Sequence, residues 1–226
     1  MGDLLPERGG LRAEQVAQTR AALVTAGRRL FGTAGFAATS VEQLAAEARV
    51  TTGALYHHFP NKTALFEAVF EQLHDELMTS SIEAAAGVTD EIEFLARGFE
   101  AFLDDVLRPD VQRIIITDAP AVLGLERFVE LDERHAFPGI AETLRSASRR
   151  GRIRSEHPET LARLLLGALT RGAMLIASSK KPESTRDSVV REVQALLGAL
   201  VPADGARGGT HPPRNGDAPS PPNTED

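Results

Sequence analysis

The chain has 226 residues, 42% of them hydrophobic, and no cysteine, which excludes disulfide scaffolds, thiolate metal sites and cysteine nucleophiles. Its formal net charge of −7 argues against a polyanionic partner, but the charge is uneven: residues 1–62 hold seven Lys/Arg against five Asp/Glu, the remainder 18 against 27. A mildly basic front and an acidic rear suit a protein that meets phosphates with one end only.

Residues 1–12, with Pro6, Gly9 and Gly10, read as a flexible lead-in without the apolar core of a secretion signal. From about Glu14 to Ala34, Val16, Leu23, Gly27, Leu30 and Phe31 recur at spacings of three and four, one face of a helix that Gly35 ends. Thr39 and Ser40 are hydroxyl caps, with Glu42 and Gln43 respectively three residues on, and they open a second helix over Val41–Ala48. After a short break at Arg49-Val50, Thr51 caps a third helix, which Pro60 ends at Phe59. Two short helices so joined, with Leu44, Ala45, Val50 and Leu55 inward, form either a helix-turn-helix or an ordinary helical hairpin; periodicity leaves both open.

Asn61 caps a longer helix over Lys62–Ser80, apolar at Leu65, Phe66, Val69, Phe70, Leu73 and Leu77 and long enough to bridge two domains. Further helices are predicted near 89–107, 109–118, 120–150 (interrupted around Pro138-Gly139), 157–179 and 184–201. No stretch alternates with the period of a strand, and no apolar run approaches the roughly 18 residues of a membrane helix. Residues 202–226 are too poor in large apolar side chains to offset the entropy of ordering and read as a disordered tail. The chain thus reads as all-α and cytoplasmic, with no membrane partner.

The run Thr39-Ser40-Val41, then Leu44-Ala45-Ala46-Glu47-Ala48-Arg49-Val50-Thr51-Thr52-Gly53-Ala54-Leu55-Tyr56-His57-His58-Phe59-Pro60-Asn61-Lys62, then Leu65-Phe66, closely resembles the DNA-binding domain of the TetR family. Arg29-Leu30-Phe31-Gly32 and Gly35-Phe36 fit the end of that family's first helix, and the likeness spans roughly residues 15–70. Arg49 stands where many relatives have glycine. The resemblance implies a three-helix DNA-binding domain at 13–62 and a helical ligand-binding and dimerisation domain at 63–201. It further implies double-stranded operator DNA as partner, self-association as a homodimer, a small-molecule effector, and repression.

The resemblance also assigns roles within the DNA-binding domain. Tyr56 and Lys62 would meet phosphates, with Thr39 and Ser40 at the start of the second helix acting likewise. Thr51, Thr52 and His57 would reach base edges, and Gly53 would let the backbone approach the duplex. The His57-His58 pair is a poor metal site, because adjacent helical side chains diverge by about 100°. Neither a metal nor a cofactor is expected.

In the rear half, Leu161, Leu165, Ala168, Leu169 and Gly172, with Val193, Leu196, Leu197 and Leu200, are expected at a two-fold interface or, failing that, in the protomer core. The aromatic-rich middle offers a candidate pocket at Phe99, Phe102, Leu103, Ile116, Val122, Phe128, His135 and Phe137. No Lys or Arg stands in this apolar stripe, so the expected ligand is neutral or weakly polar and partly aromatic. Asp132, Glu133 and His135 could suggest catalysis, yet the chain has no Gly-rich phosphate loop, His-Glu-x-x-His motif or Gly-x-Ser-x-Gly elbow, and no enzyme is expected.

Overall fold

The computed structural model describes residues 8–202; residues 1–7 of the expected lead-in, and the expected tail apart from Pro202, lie outside the described residues. Among the described residues the chain is helical, with no strand. Helix α1 (Arg8–Ala34) takes in residues 8–12, so that part of the lead-in is corrected to helix. It ends at Gly35, whose φ of +85° suits a residue without Cβ.

The next two helices are short and set by their caps. Helix α2 (Val41–Glu47) starts on Ser40 rather than Thr39: the Gln43 amide donates to Ser40 Oγ at 3.2 Å, and the Ser40 amide donates to Gln43 Oε1 at 2.8 Å. Its far end closes through Arg49 at φ 58°, with the Val50 amide on Ala45 O at 2.9 Å and the Arg49 amide on Ala46 O at 3.1 Å. This paired closure needs a left-handed residue, which explains why a glycine suits the position. Helix α3 (Thr52–His58) is capped by Thr51, which accepts the Ala54 amide at 3.1 Å.

Helix α4 (Lys62–Ala84), capped by Asn61, extends one turn past its predicted end. Phe31, Phe36 and Phe66 pack with ring centroids 5.3–5.7 Å apart and join α1, the following loop and α4. Leu23, Leu44, Leu55 and Leu65 are fully buried around them.

The rear half comprises α5 (Glu91–Asp105), α6 (Pro109–Val111), a π-helical turn (Gln112–Asp118), α7 (Ala119–Leu123), α8 (Leu125–Arg149), α9 (Pro158–Ala177) and α10 (Pro182–Ala199). The predicted interruption is misplaced. Helix α8 runs unbroken through Pro138, and the break falls at Gly124, where φ is +81°. Contrary to the sequence reading, α9 is long and apolar enough to cross a membrane by length and composition alone. In the fold it packs against α5, α8, α10 and the π-helical turn, and it carries Arg163 and Arg171.

Packing within the protomer takes several residues of the expected interface into its core. Leu165, Leu169, Gly172, Val193 and Leu197 are buried within the protomer, and a Cβ on Gly172 would come within 2.7 Å of Val189. Leu161, Ala168 and Leu200 are half-buried, and only Leu196 of the named residues is open, at 54%. The unpartnered apolar positions are Leu164 and Leu175 on α9 and Leu196 on α10. Periodicity alone does not resolve which side of α9 faces outward in the protomer, because both of its faces are apolar.

Candidate functional site

At the front of the molecule, Leu55 and Phe59 anchor α3 in the core and turn its other face outward. Ser40, Thr51, Thr52, Gly53, Tyr56 and His57 are all exposed, Tyr56 at 53%. A Cβ built on Gly53 would meet only Thr51 Oγ1, 3.7 Å away, so no packing within the protein requires glycine there. The rings of His57 and His58 lie 5.6 Å apart in an edge-on arrangement.

Two of the expected phosphate contacts are spent inside the protein. Thr39 is buried, and its hydroxyl donates to Gly35 O at 2.8 Å. Lys62 is half-buried; its ammonium donates to Phe36 O at 2.8 Å and Thr39 O at 2.9 Å and lies 4.1 Å from the Phe36 ring centroid. Lys62 ties the α1–α2 loop to α4, and Thr39 ties the same loop back to the end of α1. Within the protein both therefore act as positioning residues, while Ser40 and Thr51 remain outward as helix caps.

The front is tied to the rear by named contacts. Arg28 of α1 reaches Glu76 of α4 at 2.6 Å and Asp110 of α6 at 3.0 Å. Burial pushes the Asp110 carboxyl up, but hydrogen bonds from Arg28 and Arg108 outweigh it and hold the group below the usual carboxylate range. In the π-helical turn, Asp118 accepts the Phe36 amide at 2.7 Å and pairs with Arg113 at 3.4 Å. The buried Ile114, Ile115 and Ile116 hold this turn in the core.

Behind this junction lies a cavity of about 250 Å³ between α4, α5, α8 and α9. Phe94, Phe99 and Phe102 line it from α5, and Leu77, Met78 and Ile82 from α4. Asp132, His135 and Ile140 come from α8, and Leu166, Leu169 and Thr170 from α9.

Of the residues expected to form the pocket, Phe99, Phe102 and His135 line it. The other five do not. Leu103 and Ile116 are core residues, Phe128 packs on Phe70 at 6.0 Å, Phe137 carries Arg163 over its ring at 4.2 Å, and Val122 is half-buried outside the wall. The chief residue overlooked is His74, 3% exposed. Its signal was available, for it interrupts the apolar phase of Phe70, Leu73 and Leu77 with an imidazole.

The cavity wall is mechanically joined to α4, the helix that leads back to the front domain. His74 Nε2 meets Asp132 Oδ1 at 3.1 Å, His135 Nδ1 meets Asp75 Oδ1 at 2.8 Å, and Arg134 reaches Glu71 at 3.2 Å. Arg127 pairs with Glu67 further toward the start of α4. Thr170 of α9 adds a hydrogen bond to Asp132 at 3.2 Å.

Comparison with known proteins gives one consistent result. Residues 23–69 match the model for bacterial regulatory proteins of the tetR family, and residues 92–200 match a tetracyclin repressor-like C-terminal domain. A TetR-family transcriptional regulator from Pectobacterium atrosepticum is 31% identical, with 83% of this chain and 96% of that chain covered and a TM-score of 0.73. The HTH-type transcriptional regulator UidR of Escherichia coli K12 is 24% identical over 190 residues, 82% of this chain and 94% of UidR. RolR, solved in complex with resorcinol, shares the fold at 18% identity and a TM-score of 0.65, with 84% of this chain and 98% of RolR covered. The chain belongs to the TetR family of DNA-binding transcriptional regulators.

Proposed function

We propose that the protein is a cytoplasmic, homodimeric repressor that binds a palindromic operator and is released by a small, largely apolar, aromatic effector. The observation that carries the DNA reading is the open face of α3. Thr52, Gly53, Tyr56 and His57 are exposed together, and the glycine serves no contact within the protein. Helix α3 is the recognition helix, with Tyr56 on phosphate and Thr52 and His57 at base edges. Ser40 and Thr51 add hydroxyls at the starts of α2 and α3. The front domain comprises α1–α3 and the first turn of α4; the rest binds effector and pairs with a second copy.

The dimer face is the outward side of α9 and α10, where Leu164, Leu175 and Leu196 are open. A two-fold pair there sets two copies of α3 against successive turns of one duplex face, which a palindrome requires. The effector occupies the cavity, whose walls are almost entirely apolar and aromatic. RolR, with the same fold, holds the small aromatic resorcinol; at that identity the likeness speaks for the fold, and the ligand class here rests on the cavity itself.

Release is a shift between two populations. The effector displaces α8 relative to α4, and the ion pairs along α4 pass the change to the front domain and the separation of the α3 helices. Effector and operator then oppose each other reciprocally by about 1–3 kcal/mol. The test is a nuclease footprint on the DNA flanking the protein's own gene and on a genome-wide pull-down, with wild type and Tyr56→Ala. A protected palindrome that weakens in the variant is expected. Protection without two-fold symmetry, or undiminished in the variant, contradicts the reading.

A further inference from the structure

The cavity has a polar corner that its own protein leaves unfinished. His74 and His135 stack there with ring centroids 5.2 Å apart and planes inclined by 27°. Each spends one nitrogen on a carboxylate: Nε2 of His74 on Asp132, and Nδ1 of His135 on Asp75. A carboxylate can only accept, so His74 donates through Nε2, and the 2.8 Å approach of His135 Nδ1 to Asp75 favours the tautomer with its proton there. Nδ1 of His74 and Nε2 of His135 are buried and have no partner. The other polar groups of the wall are satisfied internally. Ser81 donates to Leu77 O at 2.8 Å, the Thr170 hydroxyl has Leu166 O at 3.0 Å and Asp132 at 3.2 Å as acceptors, and Asp132 also accepts from His74. A buried acceptor without a donor is costly, and two in one wall mark the place where a ligand completes the structure.

We propose that the effector is a neutral hydroxylated aromatic compound, a phenol or fused-ring phenol, whose hydroxyl donates to one of the free imidazole nitrogens of His74 and His135. The proposal rests on the cavity being the effector site. As neutral imidazoles the two rings offer lone pairs at these nitrogens, which select a hydroxyl donor and offer nothing to a carboxylate. No Lys or Arg lines the cavity, while Asp132 stands in its wall and Asp75 directly behind His135, so an anion meets repulsion rather than a counter-charge. The remaining wall, with Phe94, Phe99, Phe102 and Met78, suits a flat apolar body. A cavity of about 150 Å³ accepts benzene, and one of about 250 Å³ leaves room for a second ring or substituents.

The experiment measures binding of 2-naphthol, naphthalene and 2-naphthoate to the full chain by calorimetry and by the probes' own fluorescence, which no tryptophan obscures. Each is measured on wild type, His135→Phe and His74→Phe. Wild type is expected to bind 2-naphthol at least about 10-fold tighter than naphthalene, the cost of leaving buried acceptors unpaired. His135→Phe leaves behind only the solvent-open Asp75 and retains naphthalene binding. His74→Phe is the second variant, and whichever of the two removes the ring that holds the hydroxyl brings the ratio to within about 2-fold.

Equal affinity of wild type for 2-naphthol and naphthalene overturns the proposal while leaving the cavity as an apolar effector site. So does a preference that survives in both variants. Tighter binding of 2-naphthoate than of either overturns it in favour of an anion site. Failure of all three probes to bind overturns the proposal and the reading of the cavity as the effector site together.

Discussion

Replacing Lys62 by methionine separates a structural lysine from one that contacts DNA. The ammonium makes two charge-assisted hydrogen bonds, at 2.8 and 2.9 Å, and lies 4.1 Å from the Phe36 ring. Such a bond contributes about 1.5–3 kcal/mol when buried, and a cation over an exposed ring about 0.5–1 kcal/mol. Lys62 is half-buried, and methionine keeps the apolar stem, so the expected loss is about 2–3 kcal/mol. For a chain of this size that lowers Tm by about 4–12 °C. Urea unfolding gives the free energy, and operator titrations at several salt concentrations give the number of phosphate contacts. The salt slope is expected to be unchanged. Unaltered stability together with a slope smaller by about one phosphate would refute the structural assignment and return Lys62 to the DNA interface.

Further expectations follow from single contacts. Gly53→Ala is stable or slightly more stable than wild type, since the added Cβ meets only Thr51 Oγ1 at an ordinary contact distance, yet it binds operator more weakly; loss of stability without loss of affinity contradicts the open-face argument. Arg49→Gly relieves a left-handed arginine and stabilises by about 0.5–1 kcal/mol in urea unfolding after the glycine's unfolded-state entropy is counted, whereas destabilisation removes strain from the account. Leu164→Glu combined with Leu196→Glu yields monomers in sedimentation if the outward faces of α9 and α10 pair, and dimers if they do not. Asp110, held below the usual carboxylate range, contributes stability that is complete above about pH 3.9 and is lost as the pH falls through its lower folded value. Asp110→Asn therefore flattens the acid limb of the stability curve, and an unchanged limb would show that the Arg28 contact is not linked to pH.

The front of the fold was legible because its signals are local. Ser40, Thr51 and Asn61 are caps whose side chains must sit three residues before the amides they accept, and that spacing is written in the chain. Pro60 and Gly35 punctuate by backbone geometry alone. What failed depends on partners distant in sequence. Thr39 and Ser40 are equivalent as capping hydroxyls, and only the turn at Gly35 draws Thr39 inward. Lys62 reads as a phosphate ligand at a helix start until the carbonyls of Phe36 and Thr39, more than 20 residues earlier, appear beside it.

The rear half shows the same limit. Leu165 and Leu164 are indistinguishable in composition, and which one faces out depends on how α9 meets α8 and α10. The pocket went partly astray for a different reason. Aromatic richness in 94–137 marks core and cavity alike, and only His74, a polar residue in an apolar phase of α4, distinguished them.

The most direct test of the central claim is the affinity of the full chain for a selected operator against a scrambled duplex, followed by anisotropy at two salt concentrations. The account predicts a specific complex at least about 10³-fold tighter than the scrambled one. It also predicts that Tyr56→Ala and Gly53→Ala erode this ratio without unfolding the protein. Equal affinity for both duplexes, falling together as salt rises, would contradict it.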